Sequence, residues 1–194
     1  MTKQVSPEAF FDSLSIAHKL DKYLDGFRLE EIHLFSYFAS LLFLYKGNLI
    51  ADWQHRYTVK SGYPFSDSIQ EAINRHITNG LFEESEDFFI ITGRGTEEFL
   101  RFKKLSTLAT REEYLNAACT TSILIPYSEA IRGLLNEPEL KKAEVLENKS
   151  WLEQKDIYPK FKKLSVEVGI HSEDLLLPAV SWVNYLSEIE KQKD

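Results

Sequence analysis

Apolar residues recur at helical spacing along most of the chain, and the rhythm changes to short continuous runs in one place, residues 81–91. Phe10, Leu14, Ala17, Leu20 and Leu24 predict a first helix from Pro7 to Leu24. Ser6 is placed to cap it, Pro7 suits its first turn, and Gly26 ends it. A second helix, Leu29 to Tyr45, is apolar on nearly every side. Leu29, Ile32, Phe35, Ala39, Leu42 and Phe43 make one face, and Leu34, Phe38, Leu41 and Leu44 cover much of the rest. Such a helix belongs at the centre of a core.

Leu49 to Tyr57 reads as a short helix, and Gly62 and Pro64 break the chain into a turn over Lys60–Phe65. A third helix follows from Ser66 to Thr78, with Ile69, Ala72, Ile73 and Ile77 as its buried stripe. Ser66, Asp67 or Ser68 can cap it, Ser68 and Glu71 stand at capping-box spacing, and Asn79-Gly80 closes it. Leu81–Glu84 and Phe88–Ile91, around Ser85-Glu86-Asp87, predict a two-stranded hairpin. Thr92–Gly95 ends the hairpin, and a helix begins at Thr96 with Glu97 and Glu98 in its first turn.

Beyond Leu105 the pattern is helical without strands. A capping box at Thr110–Glu113 opens a helix that meets Pro126, and Pro138 starts another toward Asn148. Trp151–Val168 is helical with a break before Pro159 and a stop at Gly169. Ser172 caps a last helix, which Pro178 should kink. The expected fold is mainly α with a small β-hairpin. Three units are expected: an N-terminal helix (1–28), a helix-turn-helix unit with a hairpin (29–105) and a C-terminal helical region (106–194).

Length and charge narrow the function. A chain of 194 residues with 43% hydrophobic and 27% charged residues can bury a core without a metal or a disulfide. Net charge is −7, and residues 1–30, 31–105 and 106–194 carry −1, −2 and −4. No segment is basic, so the overall field repels nucleic acid and anionic membrane. The longest apolar stretch, Leu34–Tyr45, falls short of the roughly 20 residues that span a bilayer, and no leader is recognisable at Met1–Pro7. A cytoplasmic, soluble protein is expected. The single cysteine, Cys119, sits among small residues and suits a buried structural position.

The order helix, short helix, turn, helix, two strands resembles a winged helix-turn-helix. Ile73–Glu84 reads as the end of a recognition helix entering a wing. Phe89-Ile-Ile-Thr-Gly-Arg-Gly95 followed by Glu97–Leu100 resembles the second wing strand and following helix of PadR- and MarR-like proteins, including a Thr (Thr92) three residues before a Gly (Gly95). The resemblance covers residues 29–105 and implies a winged-helix core. It leaves the function open, because winged helices contact both DNA and proteins.

A DNA-reading role would fall to Gln70, Asn74 and Arg75, with His76 beside them, and to phosphate contacts from Arg56, Lys60 and Arg94. Against it stand Asp67 and Glu71 on the same helix and Glu83, Glu84, Glu86 and Asp87 around the wing turn. The expected role is therefore protein contact by a non-enzymatic accessory or adaptor subunit with a larger protein partner. By its size and acidity the chain resembles the small winged-helix subunits of SMC-like ATPases, both the kleisin-interacting (KITE-type) proteins and the middle components of three-component ABC defence systems. That resemblance implies a DNA-acting or anti-phage defence complex. A dimeric transcriptional regulator of PadR/MarR-like type is the alternative. Aromatic residues of the C-terminal region, Tyr158, Phe161, Trp182 and Tyr185, are the candidate partner contacts, unless they fold back onto the winged helix.

No catalytic, metal or cofactor site is expected. His18, His33, His55, His76 and His171 stand at no metal spacing, and His33 beside Glu30 and Glu31 reads as a polar edge position. Gly93-Arg-Gly95 lacks the pattern of a phosphate loop. The acidic pairs Glu30-Glu31, Glu112-Glu113 and Glu173-Asp174 are adjacent and so point apart on a helix. Lys160, Lys162 and Lys163 beside Tyr158 and Phe161 suit a solvated face.

Overall fold

The structure is a computed structural model, and it describes residues 5–145, 152, 157–169 and 174–191. Its element order is α1 (Pro7–Leu24), α2 (Leu29–Tyr45), a 3-10 turn (Ile50–Trp53), β1 (Thr58–Lys60), β2 (Tyr63–Phe65), α3 (Asp67–Thr78), β3 (Phe82–Ser85), β4 (Phe88–Ile91), α4 (Gly93–Phe102), α5 (Ser106–Leu124), α6 (Tyr127–Leu135), α7 (Pro138–Val145), α8 (Tyr158–Glu167) and α9 (Leu176–Lys191). The described residues are mainly helical, with two small antiparallel hairpins among them, β1–β2 and β3–β4.

The two N-terminal helices form where their apolar spacing places them. Ser6 Oγ accepts the Ala9 N–H at 3.0 Å, Pro7 opens α1, and Asp25 caps its end in the left-handed region. Gly26 follows because a Cβ there would meet the Phe88 ring at 2.3 Å. Phe27 then exchanges both backbone hydrogen bonds with Phe89 at 2.8 Å, which adds a one-residue third rung to the β3–β4 hairpin. α2, with twelve buried residues from Glu31 to Leu42, runs through the core against α1, α5 and α8.

Several local expectations are corrected. Leu49–Tyr57 is not a helix: only Ile50–Trp53 makes a 3-10 turn, and the chain then extends into β1. The turn expected at Lys60–Phe65 is a hairpin in which Lys60 pairs with Tyr63 and Thr58 with Phe65. Its two-residue loop, Ser61-Gly62, has positive φ at both positions, the geometry that suits a tight hairpin with right-twisted strands. Ser66 is the N-cap of α3 without a side-chain cap, its Oγ lying 3.0 Å from Ser68 Oγ instead. α4 starts at Gly93, capped by Thr92, so Glu97 and Glu98 lie past its first turn. α5 starts at Ser106, which leaves Thr110 inside the helix rather than at its cap. Pro159 opens α8, and Pro178 lies in the first turn of α9, where a proline costs no hydrogen bond and imposes no kink. The positions assigned to Asn148, Trp151, His171, Ser172 and Glu173 lie outside the described residues.

One cluster of buried apolar side chains extends from Ala9 to Leu186, crossing both expected unit boundaries, 28/29 and 105/106. α1 packs on α3, α4 and α5, and α9 packs on α5, α6 and α8. Among the described residues, no helix is long and apolar enough to cross a membrane.

Candidate functional site

Two places collect polar chemistry: the outer face of α3 with the β3–β4 hairpin, and a sealed network beneath α3. On the face, Asn74 and Arg75 are exposed, as are Arg56, Lys60 and Arg94. Gln70 is only half-buried and is already engaged. Its Oε1 lies 3.2 Å from His33 Nε2, and its Nε2 donates to Asn74 Oδ1 at 3.0 Å. His76 is not on this face. It is fully buried, 2.7 Å from Ser13 Oγ and wedged between the Phe10 and Phe82 rings, and burial pushes its imidazole down to about 3. Glu83, Glu84, Glu86 and Asp87 are all exposed around the hairpin tip. Lys60 lies over the Phe65 ring at 4.7 Å, so its ammonium is held on the hairpin β1–β2.

His33 corrects an expectation. It is buried rather than at a polar edge, stacked on Phe65 with ring centroids 4.8 Å apart. Its Nδ1 accepts the Ser66 N–H at 3.2 Å, so its Nε2–H is the donor to Gln70. Burial outweighs the Gln70 bond and pushes it down to about 4, so the ring is neutral at pH 7. It thus ties α2 to the start of α3 and to Gln70.

The sealed network joins four helices and the 3-10 turn. Arg111 of α5 holds Asp12 of α1 through two hydrogen bonds, one of them from Nε to Oδ1 at 2.8 Å. His55 Nε2 lies 2.9 Å from Asp12 Oδ2, and its Nδ1 lies 3.1 Å from Ser68 Oγ of α3. The Arg111 guanidinium stacks over Trp53 at 3.9 Å from the ring centroid. Trp53 Nε1 donates to Tyr57 Oη, which in turn lies 2.7 Å from Ser36 Oγ of α2. Burial alone would raise the Asp12 carboxyl, but Arg111, with help from His55, holds it below the ordinary carboxylate range.

Ser68, His55 and Asp12 follow the order of a nucleophile, a base and an acid, an arrangement the sequence did not disclose. The set ties α1, α3 and α5 together. Both the His55 and Asp12 side chains are fully shut from solvent, and the Asp12 charge is already met by Arg111. A signal was available in hindsight: Asp12 and Arg111 are charges set among buried apolar positions of helices.

The aromatic residues of the C-terminal region divide. Phe161 is 1% exposed and Trp182 0%. They stack on each other at 5.0 Å, and Phe161 stacks on Tyr45 of α2 at 4.7 Å. Their burial assigns these two to packing within the chain and corrects their selection as partner contacts. Tyr185 is 40% exposed, and Tyr158 is half-buried with Lys162 Nζ at 3.2 Å from its hydroxyl. Lys160 and Lys162 are exposed, and Lys163 faces Glu167 at 3.7 Å.

Among the described residues no group of His, Cys, Asp or Glu is arranged to hold a metal. Cys119 is buried, and burial pushes its thiol up to about 12. No protein-family model matches the chain, no curated protein does, and no solved structure does.

Proposed function

We propose that the chain is a non-enzymatic adaptor subunit whose winged-helix-like unit is used for protein contact. The unit comprises α1, the Phe27 rung, α2, α3 and the hairpin β3–β4. The single observation that carries the reading is the acidity of the hairpin β3–β4, where Glu83 and Glu84 of β3 and Glu86 and Asp87 of its turn are all exposed. A wing that meets DNA sets cations against phosphate, and four carboxylates there oppose that contact. The engagement of Gln70 by His33 and Asn74 supports the same reading, since it occupies a side chain that base readout would need. The sealed Asp12–His55–Arg111 network favours a scaffold over a catalyst. A larger partner, such as a DNA-acting ATPase complex of the kind the sequence resemblance implies, suits the exposed Tyr185 and the acidic tip.

The second reading, a dimeric DNA-binding regulator, is favoured by the exposure of Asn74, Arg75, Arg56, Lys60 and Arg94. Fluorescence anisotropy with a labelled duplex at low salt separates the two. The adaptor reading expects no saturable binding. Specific binding lost in Arg75→Ala, with Lys60→Ala reducing the salt slope, would overturn it.

A further inference from the structure

A groove of about 170 Å³ lies between α1, α4 and α5. Three large apolar side chains, one from each helix, stand exposed on it: Tyr23 (53%), Leu100 (49%) and Ile123 (41%). Apolar residues scattered singly over a surface are ordinary, but three that converge on one concave place form a contact patch. Phe99, itself buried, lies beneath them with the His18 ring stacked on it at 4.6 Å. The volume is below the roughly 300–1,000 Å³ of small-molecule sites. It is close to the roughly 150 Å³ that takes one benzene ring, so it suits a single aromatic anchor.

The charge of the groove is one-sided. Three ammonium groups line it, those of Lys19, Lys22 and Lys103, against one carboxylate, that of Glu112. Glu112 is already engaged. Its Oε1 accepts Lys19 Nζ at 2.6 Å, and its Oε2 accepts the Ser15 hydroxyl at 2.6 Å. Lys103 Nζ shares that same Oε1 at 3.5 Å. Lys22 is exposed, 5.3 Å from the Tyr23 ring centroid, a contact that leaves its charge in place. One carboxylate thus serves two of three cations, and the groove is locally positive in a chain of net charge −7. His18 registers the same field: burial first, then Lys19 and Lys22, push its imidazole below the ordinary value, with Lys103 adding to them against Glu112.

We infer that this groove docks an acidic segment of a partner protein, with one aromatic side chain seated between Tyr23, Leu100 and Ile123 and flanking carboxylates beside Lys22 and Lys103. An exposed apolar patch rimmed by cations is complementary to an aromatic anchor set among acids, and such anchors carry most of the energy of a protein contact. The inference rests on the adaptor reading only for the partner's being a protein. No residue of α3 or of the hairpin β3–β4 lines the groove, so the two contacts are measured separately.

The probe is a library of random linear peptides displayed on phage and panned against the full chain. An enriched peptide is then synthesised, labelled with fluorescein and titrated by anisotropy. The expected family carries Phe or Trp flanked by Asp and Glu and binds saturably. Lys22→Glu/Lys103→Gln should weaken it about tenfold or more and flatten its dependence on salt. Leu100→Ala/Ile123→Ala should weaken it about tenfold while the salt dependence remains. Circular dichroism and a thermal melt confirm that both variants are folded. No enriched family, a neutral or basic family, or binding that survives either double variant would overturn the inference. A dimer seen by sedimentation velocity and abolished by Leu100→Ala/Ile123→Ala would also overturn it, by assigning the groove to a second copy of the chain. If peptide binding fails while a larger partner is still captured through Glu83 and Glu84, this inference falls and the adaptor reading stands.

Discussion

The guanidinium of Arg111 closes on the carboxylate of Asp12 across 99 residues of sequence, with Nε 2.8 Å from Oδ1. Asp12 belongs to α1 and Arg111 to α5, and both are buried. Removing one partner leaves the other charge uncompensated in the core. Arg111→Ala should therefore cost about 3–5 kcal/mol, read by urea denaturation, whereas an Asp12→Leu/Arg111→Met double variant should recover most of that loss.

The same pair sets the acid limit. The Asp12 pKa is lowered in the folded chain, so its contribution is present above the ordinary value of 3.8 and is lost as pH falls through the folded value. Thermal melts between pH 5 and pH 2 should show a steep loss of stability that Asp12→Asn flattens.

Glu137 acts in the opposite sense. It is buried, caps α7 by accepting the Leu140 N–H at 3.0 Å, and receives the Tyr37 hydroxyl at 3.3 Å. Burial, against its hydrogen bonds, raises its carboxyl from 4.5 to about 7. A raised pKa means that its contribution is complete below 4.5 and is lost as pH rises through about 7. The spread corresponds to about 3 kcal/mol. Glu137→Gln should remove most of this decline between pH 5 and pH 8 in denaturation curves.

The C-terminal aromatics should separate by role. Trp182→Ala opens a cavity against Phe161 and should cost about 3–5 kcal/mol in the same denaturation assay. Tyr185→Ala removes a partly exposed ring that stacks on Trp182 at 5.6 Å and should cost only about 0.5–1.5 kcal/mol.

Cys119 should be inert in the folded chain. With its thiol buried and pushed up to about 12, it should fail to react with a disulfide reagent at pH 8 and react fully in denaturant.

Much of the helical frame was legible because local signals agreed. Ser6, Pro7 and the apolar stripe define α1, and the continuous apolar surface of α2 announces a central helix. The hairpin β1–β2 was not legible, since its strands are three residues long, Gly62 sits between them, Pro64 sits inside β2, and neither shows alternation. The late start assigned to α5 came from a capping box that the longer helix overrides. Exposure of Arg56, Lys60, Asn74, Arg75 and Arg94 followed from polarity alone. The burial of His33, His76 and the Asp12–His55–Arg111 set did not, because their partners come from distant elements.

The most direct test of the adaptor reading is co-purification of the tagged full-length chain from its native cell, with nuclease added to the lysate. The account predicts a larger protein recovered in stoichiometric amount despite the nuclease, and lost when Glu83 and Glu84 are replaced by lysine. Recovery of the chain alone as a homodimer, with duplex DNA retained when nuclease is omitted, would contradict it.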